Sequence, residues 1–475
     1  MIRCIFVLLT LAIIGNASAN VVLFVSAPAN LTAVQIASTS SLPNTFMTSG
    51  YASQGDPGTG CIYSTVGATA GGPGAVTGGN SSLYNLVLPG GVANAGCFGA
   101  VCDGSSNDSP AFQGAFNAVG TGPDGAVEIP ASTSGCLLSS TVTFTTSNNG
   151  KVLIFGSGPN SILKVAATGG GVQIAGSCGH AYEQVFFKDF TIKYAASSPS
   201  AYGIYLNGTA VYGLDNINVI GANSANTFTY GIEGAGAQQG YINGGLSNYN
   251  LTGIYLGDCA YSGGGDVSSN GVEIHGRSFN DQTVAVDLEG GAGDVSIHNN
   301  HITNSATGII NNQTNNYGGS VANHIDENHF ELNATYSLDA QSGAITAHGD
   351  SFLGLVHMSG TASNAYIKEC LLLGNIVIDS GALVRLFDNQ FSSTTNSYSA
   401  SSSAHVLLRN NTGSGNPVSF TVANLYACTS ANKGEKEYVS DATQTLTAGI
   451  GAIVAGTSSN FVPVGCDGSN WRIGG

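Results

Sequence analysis

IHGRSF (Ile274–Phe279), IHNNHI (Ile297–Ile302), IDENHF (Ile325–Phe330), AHGDSF (Ala347–Phe352), IKECLL (Ile367–Leu372) and LFDNQF (Leu386–Phe391) are six occurrences of one pattern. An apolar residue opens it, two variable residues follow, a small polar residue stands fourth, and a second apolar residue closes it. The fourth positions, Arg277, Asn300, Asn328, Asp350, Cys370 and Asn389, are separated by 23, 28, 22, 20 and 19 residues. Recurrence at this period marks a solenoid, in which one repeat is one coil that buries its apolar side only by stacking on its neighbours.

Between the matches lie segments with their own apolar alternation: TGIYLGD (252–258), VAVDLEG (284–290), TGIINNQ (307–313), YSLDAQ (336–341), LVHMSG (355–360) and NIVIDSG (375–381). Phe279 precedes Val286, and Ile302 precedes Ile309, by seven residues in both cases, so two strands per coil keep one phase. Asn at three of the six fourth positions predicts a stack of amides that hydrogen-bond along the solenoid axis, inside a turn that water does not reach. Arg277 and Cys370 depart from that column. Either the ladder is interrupted there or the register shifts by one in those coils.

Composition agrees with an all-β chain. Only 8% of the 475 residues are charged, Gly numbers 68 and Met only 3, while mean hydropathy is +0.15. A disordered chain would be charged and poor in Val, Ile and Leu. Scarce helix formers and abundant turn residues leave short strands and tight turns. The net charge of −16 disfavours nucleic acid and anionic membrane surfaces as partners.

Arg3, the apolar run Cys4 to Ile14 and the small residues up to Ala19 read as a secretory signal peptide cleaved after Ala19, and so as a secreted protein with no membrane insertion. Removing Cys4 leaves nine of the ten cysteines, hence at least one free thiol. Cys97 with Cys102, and Cys428 with Cys466, are the expected disulfides by local sequence.

The stretch FGAVCDGSSNDSPAFQGAFNAVGTGPDGAVEIPASTSGCLLSSTVTF (98–144) resembles the opening segment of the pectate-lyase-like β-helix superfamily, which includes phage tailspikes and polygalacturonase relatives. Phe98, Gly99, Ala100, Asp103, Gly104, Asp108, Ala111, Phe112 and Gln113 carry the first part of its pattern; Gly125 to Pro130 and Leu138 to Ser140 carry the second. Upstream, GYASQGDPGTGCIY (50–63) resembles the Gly-Asp-rich stretch that often precedes this segment. Downstream, residues 437–475, closing on Asp467, Gly468, Trp471, Arg472 and Gly474, resemble a short module that ends tail proteins. The resemblance implies a right-handed parallel β-helix over 94–425, with a short N-terminal capping helix, a β-rich extension at 20–93 and a small C-terminal β module at 426–475. Asp108 and Ser109 are expected to cap the helix Ser109–Val119, whose Phe112, Ala115, Phe116 and Val119 would cover the open end of the first coil.

If Ile254, Val286, Ile309, Leu338, Val356 and Ile376 point inward, their following neighbours point outward. That column reads Tyr205, Glu233, Tyr255, Asp287, Ile310, Asp339, His357, Val377. Two residues on, it reads Asn207, Ala235, Gly257, Glu289, Asn312, Gln341, Ser359, Asp379. Asp287 and Glu289 would lie ~6.5–7 Å apart, and Asp339 ~9.5 Å from Asp287, both within the roughly 6.5–9.5 Å window of inverting glycoside hydrolysis. Asp287, Glu289 and Asp339 are therefore expected as general acid and base, with His357 tuning Asp339. Tyr205 and Tyr255 would stack on sugar rings, with Glu233, Asn312 and Gln341 binding substrate beside them. The expected partner is a polysaccharide or cell-surface glycan, bound by a monomer or homotrimer. The alternatives are a non-catalytic glycan-binding or tailspike-like structural protein, and a lyase or epimerase.

Polygalacturonases pair two Asp and carry Gly-His-Gly, whereas this chain has no Asp-Asp pair and Gly179-His180 runs into Ala181. No Lys or Arg occupies the outward column, as a lyase base would. No cofactor is expected, Ca²⁺ entering only for a lyase. His301 with His329, and His275 with His298, occupy matching positions in successive coils and are expected to pack rather than bind metal; Glu273 on the same strand is unassigned.

Overall fold

The computed structural model describes Ser38 and residues 42–474, apart from 52–56, 121–123, 146–150, 177, 179–183, 198, 224–226, 261–265, 315–321, 360–363, 392–397, 401–404, 414–420, 426, 431–432 and 435. The expected signal peptide lies outside the described residues.

Each coil is laid down by the alternation read above. Thr252–Ala260, Val284–Gly290, Thr307–Gln313, Tyr336–Ser342, Leu355–Met358 and Ile376–Ile378 pair in parallel, one above the next, within a sheet that starts at Val142–Phe144 and ends at Tyr398–Ala400. The six-residue pattern spans a corner of the second, larger sheet. In one coil, strand Gly293–His298 ends, Asn300 turns the corner, and His301–Thr303 begins. The result is a right-handed parallel β-helix. Its inward positions stack by kind: Ile254, Val286, Ile309 and Leu338 are fully buried on one side, and Phe279, Ile302, Phe330 and Phe352 on the other. Phe330 and Phe352 lie ring over ring at 4.8 Å.

The amide ladder runs in register, including through the two departures. Asn300 Oδ1 accepts from Arg277 N, Asn328 Oδ1 from both Asn300 N and Asn300 Nδ2, and Asp350 Oδ1 from Asn328 N and Nδ2. Above the thiol of Cys370 the ladder resumes, Asn389 Oδ1 accepting from Cys370 N and Asn411 Oδ1 from Asn389 N. Each Asn also donates to the carbonyl of the apolar residue that opens the preceding match, as Asn300 does to Ile274 O and Asn328 to Ile297 O. The ladder is interrupted at Cys370 without any slip of register. Arg277 fills its corner differently: fully buried, its guanidinium donates to the carbonyls of Ile217, Gly244 and Leu246 in the coils below. The residue before each ladder position, Gly276, Asn299, Glu327, Gly349, Glu369 and Asp388, has φ between +56° and +69°. This left-handed step makes the corner sharp; Gly, Asn and Asp adopt it readily, and the two Glu are held there by the ladder.

The cap helix Ser109–Val119 forms as expected, with Phe112, Ala115, Phe116 and Val119 buried. Its start differs from expectation. Asp108 makes no side-chain cap; its carboxylate is buried and accepts from the backbone N–H of Val101, Cys102 and Leu137. Gln113 closes the sheet edge, its amide donating to Thr143 O and accepting from Thr143 N as a neighbouring strand would.

Two of the disulfides correct the expected pairing of Cys97 with Cys102. Cys97 joins Cys61, and Cys102 joins Cys136. The Asp108 carboxylate gathers Cys102 N and Leu137 N onto one group, which brings Cys102 beside Cys136. Cys97 instead packs on the antiparallel sheet of Thr45–Ser49, Thr59–Ser64, Val76–Thr77 and Leu83–Leu86, whose core holds Phe46, Cys61, Tyr63, Tyr84 and Leu86. Cys428 with Cys466 is as expected, Cys178 joins Cys259, and Cys370 is the free buried thiol. At the far end, Lys436–Ala442, Asn460–Cys466 and Trp471–Ile473 form a three-stranded antiparallel sheet.

The ladder makes opposite predictions at neighbouring positions. Asn328→Ala removes the acceptor of Asn300 N and the donor to Ile297 O, both buried, and should cost at least ~2 kcal/mol in a denaturant melt. Asp350 is buried with its Oδ2 lacking a hydrogen-bond partner among the described residues, and desolvation raises its pKa well above the ordinary carboxylate range. Ionisation therefore favours the unfolded chain once pH exceeds the unfolded-state pKa. Asp350→Asn should raise the melting temperature at pH 7, and the gain should vanish as pH falls below about 3.9, the ordinary Asp value.

Candidate functional site

The outward face of the sheet that runs from Val142–Phe144 to Tyr398–Ala400 is built by register alone. Parallel pairing puts Gln173, Tyr205, Glu233, Tyr255, Asp287, Ile310, Asp339, His357 and Val377 in one column. Adjacent members are one rung, ~4.8 Å, apart. Glu289 and Asn312 pair in the neighbouring column, but a β-bulge after Asn311 sets Asn312 opposite Ser342, so Gln341 is displaced from its expected place.

The column divides into two groups. In the first, Glu233, Asp287 and Glu289 are gathered beside a wall of tyrosines. Tyr202 packs on Tyr205 with ring centroids 5.1 Å apart, and Tyr230 on Tyr255 at 4.7 Å. Tyr202 and Tyr230 pair with each other in the register and were not anticipated. Their signal was present as the recurring Tyr-Gly-Ile of 202–204 and 230–232, echoed by Thr-Gly-Ile at 252–254 and 307–309. The glycine has a steric cause: a Cβ on Gly203 would lie 2.7 Å from Gly231 O, and one on Gly231 2.7 Å from Gly253 O.

Removal of water by these rings sets the protonation of the carboxyls. Desolvation pushes Glu233 up to about 7. Asp287 also rises to about 7, through burial first and the charge of Glu289 second. Its Oδ1 is buried with no hydrogen-bond partner among the described residues. Glu289 is raised by burial and drawn back by Asn312, whose Nδ2 donates to Glu289 Oε2 at 3.0 Å. Ser342 Oγ in turn donates to Asn312 Oδ1, so that amide orients Glu289.

The second group is self-contained. Asp339 is buried; its Oδ1 pairs with His357 Nδ1 at 2.8 Å and its Oδ2 accepts from Gln341 Nε2 at 2.8 Å. His357 Nε2 pairs with Asp379 Oδ2 at 3.1 Å and the ring stacks on Tyr336. Ile310 stands between Asp287 and Asp339 in the column. The sequence reading joined these carboxyls into one acid–base set; Asp287 and Asp339 do stand two rungs apart, and both Asp339 oxygens have side-chain partners whereas Asp287 Oδ1 has none among the described residues. Gln341 Nε2 donates to Asp339 within this group.

No family model and no curated protein matches the chain. Solved structures do. A tailspike of Acinetobacter phage vb_AbaP_AS12 is similar over 93% of this chain and 87% of its own, at 13% identity and TM-score 0.54. The catalytic unit of a GH87 α-1,3-glucanase from Streptomyces thermodiastaticus is similar over 70% and 73%, at 12% identity and TM-score 0.46. The A-module of a mannuronan C-5 epimerase from Azotobacter vinelandii is similar over 68% and 93%, at 14% identity and TM-score 0.44. The tailspike likeness extends to the fold, a right-handed parallel β-helix.

A carboxyl held at high pKa opposes folding once the unfolded chain has ionised. Asp287→Asn should therefore raise the melting temperature, with the gain absent below about pH 3.9, growing toward pH 7 and level above it. Differential scanning calorimetry across that range checks it.

Proposed function

We propose that this chain is a secreted glycoside hydrolase that cleaves a neutral polysaccharide along the groove sheet. The observation that supports it most is the pair Glu233 and Asp287, two carboxyls on one face whose pKa values are each raised to about 7. They lie two rungs apart in the register, with Tyr255 on the rung between. Two rungs is ~9.6 Å between backbones, close to the upper edge of the roughly 6.5–9.5 Å range in which inverting enzymes fit a water and a sugar between acid and base.

A sugar ring stacked on Tyr255 would lie between the two. Asp287, kept protonated by burial and by Glu289, delivers a proton to the leaving oxygen as general acid. Glu233, ionised in the working enzyme, accepts a proton from the attacking water on the other side of the ring. Glu289 acts through Asp287, and Asn312 through Glu289. A net charge of −16 and three acidic groups at the centre repel an anionic glycan, which favours a neutral one. Four disulfides suit an oxidising, extracellular compartment.

The test is release of reducing ends from a panel of neutral glucans, galactans and mannans. Glu233→Gln and Asp287→Asn should each lower turnover 10²–10⁴-fold, the usual contribution of a positioned acid or base, with Asp339→Asn closer to wild type. Because ionisation of Asp287 ends activity on the alkaline side, Glu289→Gln should lower its pKa and move the alkaline limb of the pH profile to lower pH. Full activity in both Glu233→Gln and Asp287→Asn would refute this assignment, and binding without product would recast the groove as a glycan-docking surface.

A further inference from the structure

Six of the nine histidines, His275, His298, His301, His324, His329 and His348, occupy the outward side of the larger sheet, on either side of the asparagine corner and away from the groove. Two triads stand out. His301 and His329 pair directly across adjacent rungs and their rings stack at 5.3 Å; Glu331, two residues beyond His329 on the same face, reaches back to both. Glu331 Oε2 lies 3.2 Å from His301 Nε2 and 3.9 Å from His329 Nε2. On the other side of the corner, His275 and His298 pair across adjacent rungs with rings stacked at 5.1 Å, and Glu273 Oε1 lies 2.7 Å from His298 Nε2. Within each triad the possible ligand atoms all lie within 4.8 Å of one another.

We propose that each triad is a binding site for a divalent transition-metal ion of the zinc class, holding two imidazoles and one carboxylate. Zinc binds imidazole nitrogen and carboxylate oxygen at ~2.0–2.2 Å in tetrahedral geometry, which places neighbouring ligands about 3.3–3.5 Å apart. The Glu331 contacts bracket that separation, and the remaining ligand atoms lie within 4.8 Å of one another, so rotation of exposed side chains closes the rest of the distance. Imidazole with carboxylate suits zinc, copper or nickel and disfavours calcium, which prefers six or more oxygens. Three protein ligands leave at least one position to water. Each ion would bridge two successive coils and brace the solenoid without involving the groove.

The experiment uses the full, oxidised protein stripped with chelator and titrated with ZnCl₂ by calorimetry. Two ions should bind per chain, with a rise in melting temperature. His301→Ala with His329→Ala, and separately His275→Ala with His298→Ala, should each bind one; all four together should bind none. These side chains are exposed enough that the metal-free melting of each variant should match wild type. Glu331→Gln, which keeps the shape, should weaken one of the two sites at least ~10-fold. Fewer than one zinc per chain, undiminished stoichiometry in the histidine variants, or equal competition by CaCl₂ would overturn the proposal.

Discussion

Parallel backbone pairing between successive coils, with its ~4.8 Å repeat, is the constraint on which the rest of this molecule depends. It returns each residue position to the same lateral place one rung later, so the chain is organised in columns. Inside, the columns sort by shape, with Ile over Val and Phe over Phe. At the corner they sort by hydrogen bonding, each Asn amide serving the coils on both sides. Outside, the same repeat brings Glu233 to two rungs from Asp287 and sets His301 over His329.

Columns impose costs as well as order. A polar group at the corner is buried and must find partners within a rung or two. Arg277 reaches three carbonyls of the coils below and Asp350 satisfies one oxygen, while Arg277 Nε and Asp350 Oδ2 have no hydrogen-bond partner among the described residues. On the outward face of the other sheet the same kind of cost recurs: burial beside the tyrosines raises the pKa of both Glu233 and Asp287 to about 7.

Much of this was legible in one dimension. Period-two alternation and the six-residue pattern placed the strands and corners, and the alternation assigned Asp287, Glu289 and Asp339 to the outward side with the correct rung order. The displacement of Gln341 was not legible, because a bulge adds a residue without altering the apolar pattern on which the register was counted. Nor was the pairing of Cys102 with Cys136, which depends on a buried Asp108 drawing together backbone from a loop and a strand far apart in sequence.

The sequence by itself determined the solenoid, the ladder and the face on which the polar groups stand, since each is a periodic property and periodicity is written along the chain. Only the tertiary structure decided which carboxyls share an environment. Asp287 and Asp339 are equivalent by spacing, yet one has a buried oxygen with no hydrogen-bond partner among the described residues and the other is bound by His357 and Gln341. The difference comes from desolvation and from partners on neighbouring rungs, and these exist only once the coils are stacked.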